Sequence, residues 1–309
     1  MKVLITGAAG FVGRHLAADL KAHGHEIILT GLFEETLSDF GPVIKLDITD
    51  RDECKKVLSR HMPDAIVHLA GLAHTASHNS DPNLLYQINV SGAVNMASEM
   101  SQLTLKSGGH YCSFLFVSSA FVYGGESGTL KLSCSESTPT YPRTKYGESK
   151  LIAEYALKFF DDDKLPIYIA RPFNHIGTGQ DASFAVPAFV SRIRESSDNG
   201  TIETGDLTAL RDFTDVRDIV RGYRLILEKK PKERTFVFGR GETVTIKSIL
   251  DEIIALSGKK LSHHVNPALL RESERLEIFA EAKRAEFVLQ WRPEISLRKT
   301  LQDIWDQCP

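Results

Sequence analysis

Residues 2–13 read KVLITGAAGFVG, an aliphatic run that leads directly into three glycines spaced three apart. Gly7, Gly10 and Gly13 stand between a predicted strand and a predicted helix. Such a turn brings the backbone close to a phosphate, and the free N–H groups that open the helix favour an anion. The spacing differs from the G-x-G-x-x-G of the standard dinucleotide fingerprint but meets the same physical need. The stretch therefore predicts a phosphate cradle for a dinucleotide, with a plain turn as the alternative.

Outward from this stretch, strand-like runs alternate with helical patterns over the first 170 residues. This alternation is typical of parallel strands joined by crossover helices. The predicted strands are 2–6, 26–30, 42–46, 65–70, 113–119 and 166–170, and the predicted helices are 11–22, 50–60, 82–103 and 143–160. After Arg171 the chain is turn-rich and mixed with amphipathic helices.

We therefore predict an α/β fold, a Rossmann-type doubly wound parallel sheet with a smaller C-terminal α/β substrate lobe. The NAD(P)-binding domain is expected to comprise residues 1–170 and about 215–240. The substrate lobe is expected to comprise residues 171–214 and 241–309.

The bulk composition is that of an ordinary globular protein. The 309 residues are 42% hydrophobic and 25% charged, which excludes disordered and fibrous classes. The formal charge is -3 and the basic residues are scattered, so neither nucleic acid nor a membrane is an expected partner. No apolar run approaches the ~18 residues of a spanning helix, and the apolar start is too short for a signal peptide. A small-molecule partner and a cytoplasmic location are predicted.

The cysteines predict neither disulfides nor a metal site. They are Cys54, Cys112, Cys134 and Cys308, widely spaced and without a C-x-x-C pair. This spacing favours reduced thiols.

The end of the second predicted strand bears on the choice of cofactor. Thr30 and Gly31 stand where a carboxylate would otherwise hold a ribose 2′-hydroxyl. Without that carboxylate a 2′-phosphate is admissible, and Arg14 can pair with it. NADP(H) is mildly favoured and NAD(H) stays possible, while a merely solvated Arg14 is the alternative. Asp47, after the third strand, can accept a hydrogen bond from the adenine amine or cap the next helix.

A second stretch, YPRTKYGESK at residues 141–150, carries candidate catalytic residues. Tyr146 and Lys150 lie four apart, so one helical turn stacks them on the same face. A free tyrosine has a pKa of ~10, and a nearby ammonium group favours its phenolate. Ser118 and Ser119 end the fifth predicted strand, where open α/β sheets bind ligands. The sequence thus offers an acid, its activator and an orienting hydroxyl, although an inert exposed pair is the alternative.

Five motifs together resemble a known family. TGAAGFVG, VHLAG, INVSG, SSAFVYG and YGESK follow the order and approximate spacing of extended short-chain dehydrogenase/reductases, the NAD(P)-dependent epimerase/dehydratase family. The resemblance implies that Ser119 orients the substrate, Tyr146 exchanges a proton, and Lys150 holds the cofactor ribose and lowers the tyrosine pKa. Lys145 stands where the family often has proline, and it adds a charge of unassigned role. The residues expected along the cofactor are Gly7, Gly10, Phe11, Val12, Gly13, Arg14, Asp47, Ile48, Leu69, Ala70, Gly71, Asn89, Tyr146, Lys150 and Pro172.

Three features narrow the reaction within that family. Ala120 and Phe121 occupy the positions where its 4,6-dehydratases carry an acid and a base, which disfavours elimination of water. The segments ARPFNHIGTGQ and GDLTALRDFTDVRDIVRGY resemble those of GDP-4-keto-6-deoxy-D-mannose reductases. NPALLRESE resembles the nucleotide-binding segment of the same group, with Glu272 and Glu274 at two positions that usually differ.

A nucleotide-sugar site must neutralise a pyrophosphate and clasp a ribose. Asn174, Arg211 and Arg271 suit the first task and Glu274 the second. For Arg211 the alternative is an ion pair with Asp212 or Asp215. The histidines expected nearby, in second rank, are His74, His78 and His175.

The resemblance implies reduction of the C4 ketone of a nucleotide-linked 4-keto-6-deoxyhexose. The expected reaction converts GDP-4-keto-6-deoxy-D-mannose to GDP-6-deoxy-D-mannose or its C4 epimer. A UDP-glucose/galactose-type 4-epimerase is the alternative, and a non-enzymatic NADP(H) sensor is a weaker one. A homodimer is expected through the helices near 82–103 and 143–160.

Overall fold

A central eight-stranded sheet organises the computed structural model, which describes residues 1–72, 81–124, 131–269 and 277–307. The strands are β1 (Lys2–Thr6), β2 (Glu26–Gly31), β3 (Glu35–Leu37), β4 (Gly41–Lys45), β5 (Ala65–His68), β6 (Ser113–Val117), β7 (Lys131–Cys134), β8 (Ile167–Pro172), β9 (Asn174–Ile176), β10 (Thr201–Thr204), β11 (Leu210–Arg211), β12 (Phe213–Asp215), β13 (Thr235–Phe238), β14 (Val244–Thr245), β15 (Ser262–Val265) and β16 (Glu277–Ala280).

The α-helices connect these strands and form the outer layers. They are α1 (Phe11–Ala22), α2 (Arg51–His61), α3 (Pro82–Tyr86), α4 (Ala93–Lys106), α5 (Lys145–Leu157), α6 (Ala185–Glu195), α7 (Val216–Lys229), α8 (Ile246–Ser257), α9 (Lys283–Leu289) and α10 (Leu297–Gln307).

The order of strands in the sheet is β13-β8-β6-β5-β1-β2-β4-β3. Every pairing in it is parallel except the edge pair β3–β4. The chain runs outward from β1 through β2 and β4 and then returns to place β5 on the other side of β1. Such a reversal opens a crevice at the carboxyl ends of the strands, where open α/β sheets bind ligands. The predicted doubly wound α/β fold is confirmed.

Two hydrophobic clusters cover the two faces of the sheet. One packs α1 and α7 against buried strand residues such as Val3 and Ile5. The other packs α2, α4 and α5 against alternate strand residues such as Leu4 and Ile66. Strands buried on both faces read as continuous apolar runs, which is why the sequence revealed them.

Outside the sheet, a third cluster joins α6, α8 and α10 with residues such as Ile202 and Phe213. Short strand pairs connect distant segments here, including β10 with β15 and β7 with β16. Ala285, Leu289 and Trp291, late in the chain, pack into the cluster on the α1 and α7 face of the main sheet. The proposed domain boundaries stay a prediction.

The structure differs from the sequence prediction at several element ends. Strands predicted to run to residues 70 and 119 end at His68 and Val117, because the chain leaves the sheet there to line the crevice. The helix predicted at 82–103 consists of α3, a π-helical turn at Gln87–Gly92, and α4. The edge strand β3 was not predicted, since its three residues carry no periodic signal.

None of the helices among the described residues has the length and hydropathy to cross a membrane.

Cys54, Cys112 and Cys134 are buried free thiols. Burial raises the pKa of Cys54 and of Cys134 to about 12, so both are unreactive at neutral pH. Cys308 lies outside the described residues.

Candidate active site

The glycine turn lies at the carboxyl edge of the sheet. Gly7 has a φ of +68°, and a Cβ on Gly13 would lie 2.5 Å from the main-chain oxygens of Gly7 and Ala8. The turn is tied to the end of β2, because the Ala8 N–H donates to the Thr30 oxygen at 3.0 Å. Gly10 caps α1 without a side chain, and the first turn of α1 contains no acidic residue. These features fit a dinucleotide pyrophosphate, which needs close backbone approach and free N–H groups.

Asn89 connects the loop after β5 with helix α5. It is 1% exposed and lies in the π-helical turn, a form found often at functional sites. Its Oδ1 accepts from the Leu72 N–H at 2.8 Å, and its Nδ2 donates to Ser149 Oγ at 3.0 Å. A Cβ on Gly71 would lie only 2.8 Å from Asn89 Oδ1. Asn89 thus fixes the loop after β5 to helix α5.

The loop after β5 is also held from the strand side. The Ala70 N–H donates to Thr6 Oγ1 at 3.1 Å, and that hydroxyl lies 3.1 Å from Nδ1 of the fully buried His68. Leu69 belongs to the apolar packing on the α1 face. The expected cofactor residues Leu69, Ala70 and Gly71 thus lie directly beside the glycine turn, since a Cβ on Gly7 would lie 3.0 Å from the Ala70 nitrogen.

The three predicted catalytic residues lie together. Tyr146 forms a side-chain hydrogen bond with Ser119. Ser119 lies two residues after the end of β6 and caps the short helical turn that follows. Its Oγ accepts a hydrogen bond from the Phe121 N–H at 3.2 Å. Lys150 is 5% exposed, and its Nζ lies 5.9 Å from the centre of the Tyr146 ring. The pair is therefore not exposed, since α5 buries the lysine at the end of β6.

Burial governs the titration of this group. It raises the pKa of Tyr146 to about 12, against a smaller opposing effect of the Ser119 hydrogen bond. It lowers the pKa of Lys150 to about 8, while the Glu154 carboxylate opposes the shift. In the protein alone the tyrosine pKa is therefore raised rather than lowered, because desolvation of the buried ring is the dominant cause. At neutral pH the tyrosine is protonated and able to donate.

A buried ionic network lies directly behind these residues. Ser118 Oγ donates to Glu154 Oε1 at 2.5 Å, which turns this serine away from Tyr146. Arg171 donates to both oxygens of Glu154, from Nε at 2.9 Å and from Nη2 at 2.5 Å. Its Nη1 donates to Tyr123 Oη at 2.9 Å. Of the two candidate serines, Ser119 is therefore the one that meets the tyrosine.

Sequence reasoning missed Glu154 and Arg171. A signal was present for the first, because Glu154 follows Lys150 by one helical turn and so shares its face. Arg171 precedes Pro172 at the end of β8, and both are buried.

Two further residues predicted for the cofactor have partners within the protein, and their cofactor roles stay a prediction. Arg14 is not merely solvated, because its Nε donates to the Ala9 oxygen at 2.8 Å and its Nη2 lies 3.7 Å from Glu35 Oε2. Asp47 is not a helix cap, because Asp50 accepts the first N–H groups of α2. Asp47 Oδ1 instead accepts from the N–H and hydroxyl of Thr49, at 2.8 and 2.7 Å.

On the substrate side, Asn174 and His175 lie on β9, and Arg211 lies on β11. Asn174 Nδ2 lies 3.4 Å from the Asp212 oxygen, and His175 stacks on Phe11 with ring centres 6.2 Å apart. Burial lowers the pKa of His175, which keeps the imidazole neutral. Arg211 Nη1 donates to the Leu210 oxygen at 2.8 Å.

The acids proposed as alternative partners of Arg211 serve other groups. Asp212 accepts the N–H groups of Arg240, Gly241 and Ala280, and Asp215 pairs with Arg217 at 2.7 Å. Lys145 pairs with Glu148 at 2.9 Å, so its charge is neutralised on the exposed side of α5. The residues His74, His78, Arg271, Glu272 and Glu274, for which substrate contacts were also predicted, lie outside the described residues.

Residues 3–239 match the family model described as the NAD dependent epimerase/dehydratase family. The chain belongs to this family. Its glycine turn, serine-bearing strand end and Tyr–Lys helix all lie within the matched residues.

The relatives that the chain matches are named for different reactions. The chain is 28% identical over 318 residues to a GDP-6-deoxy-D-mannose reductase of Pseudomonas aeruginosa, covering 98% of this chain and 95% of that protein. It is also 28% identical over 344 residues to UDP-glucose 4-epimerase 4 of Oryza sativa subsp. japonica, covering 98% and 89%. The solved structure of RMD from Pseudomonas aeruginosa complexed with NADPH superposes with a TM-score of 0.83 at 27% identity, covering 99% and 98%. The family relationship therefore supports a nicotinamide-dependent enzyme acting on nucleotide sugars.

Proposed function

We propose that the protein reduces the C4 ketone of GDP-4-keto-6-deoxy-D-mannose with NADPH or NADH. The product is GDP-6-deoxy-D-mannose (GDP-D-rhamnose) or its C4 epimer, according to which face of the sugar meets the hydride. The observation that carries the proposal is the hydrogen-bonded Ser119–Tyr146 pair, backed by the buried Lys150, at the crevice that the glycine turn opens. The 28% identity with the Pseudomonas reductase over 98% of the chain supports the choice of substrate.

The protein's own groups handle the ketone oxygen and its proton. A reduced nicotinamide, when bound, supplies the hydride that adds to C4. As negative charge develops on the oxygen, the Ser119 hydroxyl stabilises it by a hydrogen bond and the Tyr146 hydroxyl transfers a proton to it. The raised pKa of Tyr146, about 12, keeps this donor protonated before the reaction. The Lys150 ammonium then stabilises the phenolate that remains.

The nucleotide end of the substrate requires cationic and amide groups. We assign the pyrophosphate to Asn174, Arg211 and Arg271, the ribose to Glu274, and a sugar contact to His74. The neutral pair Ala120 and Phe121 beside Ser119 supports reduction over dehydration, because elimination of water needs an acid and a base there.

A 4-epimerase is the second candidate, because UDP-glucose 4-epimerase 4 matches the chain at the same 28% identity. It would use the same three residues but would oxidise and re-reduce its substrate without releasing the cofactor. Tightly bound NAD in the purified protein would favour it. A pure NADP(H) sensor is the weakest candidate, since it has no use for the Ser119–Tyr146 pair.

We also propose a homodimer through α4 and α5. Helix α5 carries the exposed apolar residues Ile152, Tyr155 and, just beyond its end, Phe159, which is 91% exposed. A run of this kind on one helix suits a partner surface. Tyr155→Glu with Phe159→Glu should shift the protein to monomer in sedimentation velocity, and an unchanged mass would reject this interface.

The test of function mixes purified protein with GDP-4-keto-6-deoxy-D-mannose and either NADPH or NADH. Loss of nicotinamide absorbance with a C4-reduced product in the NMR spectrum is the expected result, and the product's stereochemistry reports the face. UDP-glucose in a parallel reaction is the control. Conversion to UDP-galactose, without oxidation of nicotinamide in the first reaction, would replace the reductase by the epimerase. Cytoplasmic deoxysugar synthesis as the cellular setting belongs to the same proposal.

A further inference from the structure

The end of β2 offers the cofactor no polar side chain of its own. Thr30 is fully buried, and its Oγ1 donates to the Ile5 oxygen at 3.0 Å. Gly31, the last residue of β2, has no side chain. In dinucleotide folds the group at the ribose 2′ position is recognised at this strand end. Its recognition must therefore come from side chains of other elements.

Arg14 and Glu35 meet over this strand end. Arg14 folds across the glycine turn, because its Nε donates to the Ala9 oxygen at 2.8 Å. Glu35 begins the edge strand β3, whose antiparallel course sets it opposite Val43, the residue that pairs with Leu29 of β2. The chain thus returns a carboxylate to the level of Leu29, two residues before the end of β2, from a strand that the sequence did not reveal. Arg14 Nη2 lies 3.7 Å from Glu35 Oε2.

The ion pair between Arg14 and Glu35 is weak enough for another anion to replace Glu35. The Arg14 and Glu35 side chains are 53% and 42% exposed, so water competes for both groups. Exposed pairs of this kind contribute little stability. A stronger anion that enters the same place can therefore take Arg14 from Glu35 at small cost.

We infer that Glu35 is a specificity-determining residue, which holds Arg14 in the free protein and opposes binding of a cofactor that carries a 2′-phosphate. The inference rests on the proposed dinucleotide site. A 2′-phosphate carries a charge of about −1.5 to −2 and binds arginine strongly, but it must displace a carboxylate and then remain beside it. A 2′-hydroxyl is uncharged, so it neither has to displace Glu35 from Arg14 nor is repelled by the carboxylate. The pair thus reduces the advantage that Arg14 alone would give NADPH over NADH.

The test is calorimetric titration of the full-length protein with NADPH and with NADH, without sugar. Glu35→Gln should tighten NADPH binding about three- to fivefold, the size of one exposed ion pair, and change NADH binding less than about twofold. Arg14→Gln should weaken NADPH binding about tenfold or more, with NADH again little changed. In the Arg14→Gln background, Glu35→Gln should tighten NADPH binding less than it does in the unmodified protein, because only the repulsion between the carboxylate and the phosphate is then relieved.

The matched control is Glu34→Gln. Glu34 is exposed and adjacent to Glu35, and it forms no ion pair within the described part of the chain. It should change NADPH binding by less than half of the Glu35→Gln effect, since only proximity to Arg14 distinguishes the two acids. An equal effect would reduce the role of Glu35 to net charge and overturn the inference.

Two other outcomes would also overturn it. NADH binding that weakens in Glu35→Gln would show that the carboxylate holds the 2′-hydroxyl instead. Unchanged NADPH binding in the same variant would show that the pair has no role. Absence of binding of either cofactor to the unmodified protein, by contrast, would count against the proposed function itself.

Discussion

The ammonium group of Lys150 donates to the main-chain oxygen of Val117, at 3.0 Å, where β6 ends and the Ser118–Ser119 segment begins. One side chain of α5 thus fixes the strand end from which Ser119 reaches Tyr146. The contact also explains how a lysine that is 5% exposed can remain charged, because a carbonyl oxygen compensates part of its lost hydration.

The pH dependence of reduction should report Lys150. Burial lowers its pKa to about 8, so the ammonium is present below that pH and lost above it. The kcat/KM of the reductase reaction should therefore fall as pH rises through about 8. In Lys150→Arg, whose guanidinium stays charged, this decline should be absent up to pH ~10. Lys145→Arg, at the exposed start of the same helix, should retain the decline, and a decline that persists in Lys150→Arg would belong to another group.

Tyr146→Phe should abolish most of the turnover without unfolding the protein. The phenyl ring can keep the edge contact with Phe121, whose ring centre lies 5.8 Å away. Removal of the proton donor should lower kcat by a factor of roughly 10²–10⁴. NADPH affinity, measured by titration, should change less than about twofold.

Tyr155→Phe is the matched control for Tyr146→Phe, since Tyr155 lies on the same helix and is 54% exposed. Its turnover should equal that of the unmodified enzyme. A near-normal rate in Tyr146→Phe would remove the tyrosine from the mechanism.

Glu154→Gln should destabilise the fold strongly. The substitution leaves the buried Arg171 guanidinium without the carboxylate that accepts two of its hydrogen bonds. Loss of one partner of a buried ion pair costs about 3–5 kcal/mol. Urea unfolding should show this loss, whereas Glu148→Gln, at a half-exposed acid of the same helix, should change stability by less than about 1 kcal/mol. Equal losses of stability in the two variants would mean that the buried network contributes no more than an exposed ion pair.

His68 should make the protein sensitive to acid. Burial lowers its pKa to about 3, so the folded state excludes a proton that the unfolded chain binds below about 6.5. Stability is therefore complete above that pH and declines as pH falls, by about 2 kcal/mol between pH 7.5 and 5. His68→Asn keeps an amide near the position of Nδ1 and should lack this part of the decline.

The measurement for His68 is the free energy of unfolding in urea as a function of pH, and the slope of that dependence is compared between variants. His264→Asn, at an exposed position of β15, should retain the slope of the unmodified protein. A slope that is the same in His68→Asn would assign the acid sensitivity to other groups.

Lys259 should stabilise the lobe formed by α6, α8 and α10. Its Nζ donates to three main-chain oxygens at the end of α6, those of Ile193, Arg194 and Ser196, at 2.8, 2.9 and 2.7 Å. Lys259→Met should lower the free energy of unfolding by about 1–3 kcal/mol, because it leaves these carbonyls without a charged donor. Lys260→Met, at the adjacent exposed lysine, should have little effect, and equal losses would reject the capping role.

Much of the site could be predicted from the sequence because its signals are local. The glycine turn follows its strand within a few residues, and a Cβ on Gly13 would lie only 2.5 Å from the Ala8 oxygen. The spacing of Tyr146 and Lys150 places them on one helical face wherever α5 lies. The apolar runs of the parallel strands are equally local, since burial on both faces leaves no alternation to obscure them.

What the sequence left open depends on contacts between distant segments. Ser118 and Ser119 are equivalent by position, and only Glu154, brought close by α5, turns the first away and leaves the second to Tyr146. The sequence also led us to expect a lowered tyrosine pKa, whereas burial raises it, because the shift depends on how far the fold desolvates the ring.

By itself, then, the sequence determined the doubly wound sheet, the dinucleotide turn and the Tyr–Lys helix. Only the tertiary structure decided which serine meets the tyrosine, which acid faces Arg14, and where Lys150 places its charge. The physical reason is that the hydrophobic periodicity that predicts helices and strands depends only on residues close together in the sequence. Burial and electrostatic pairing, in contrast, are set by residues that meet only after the chain has folded.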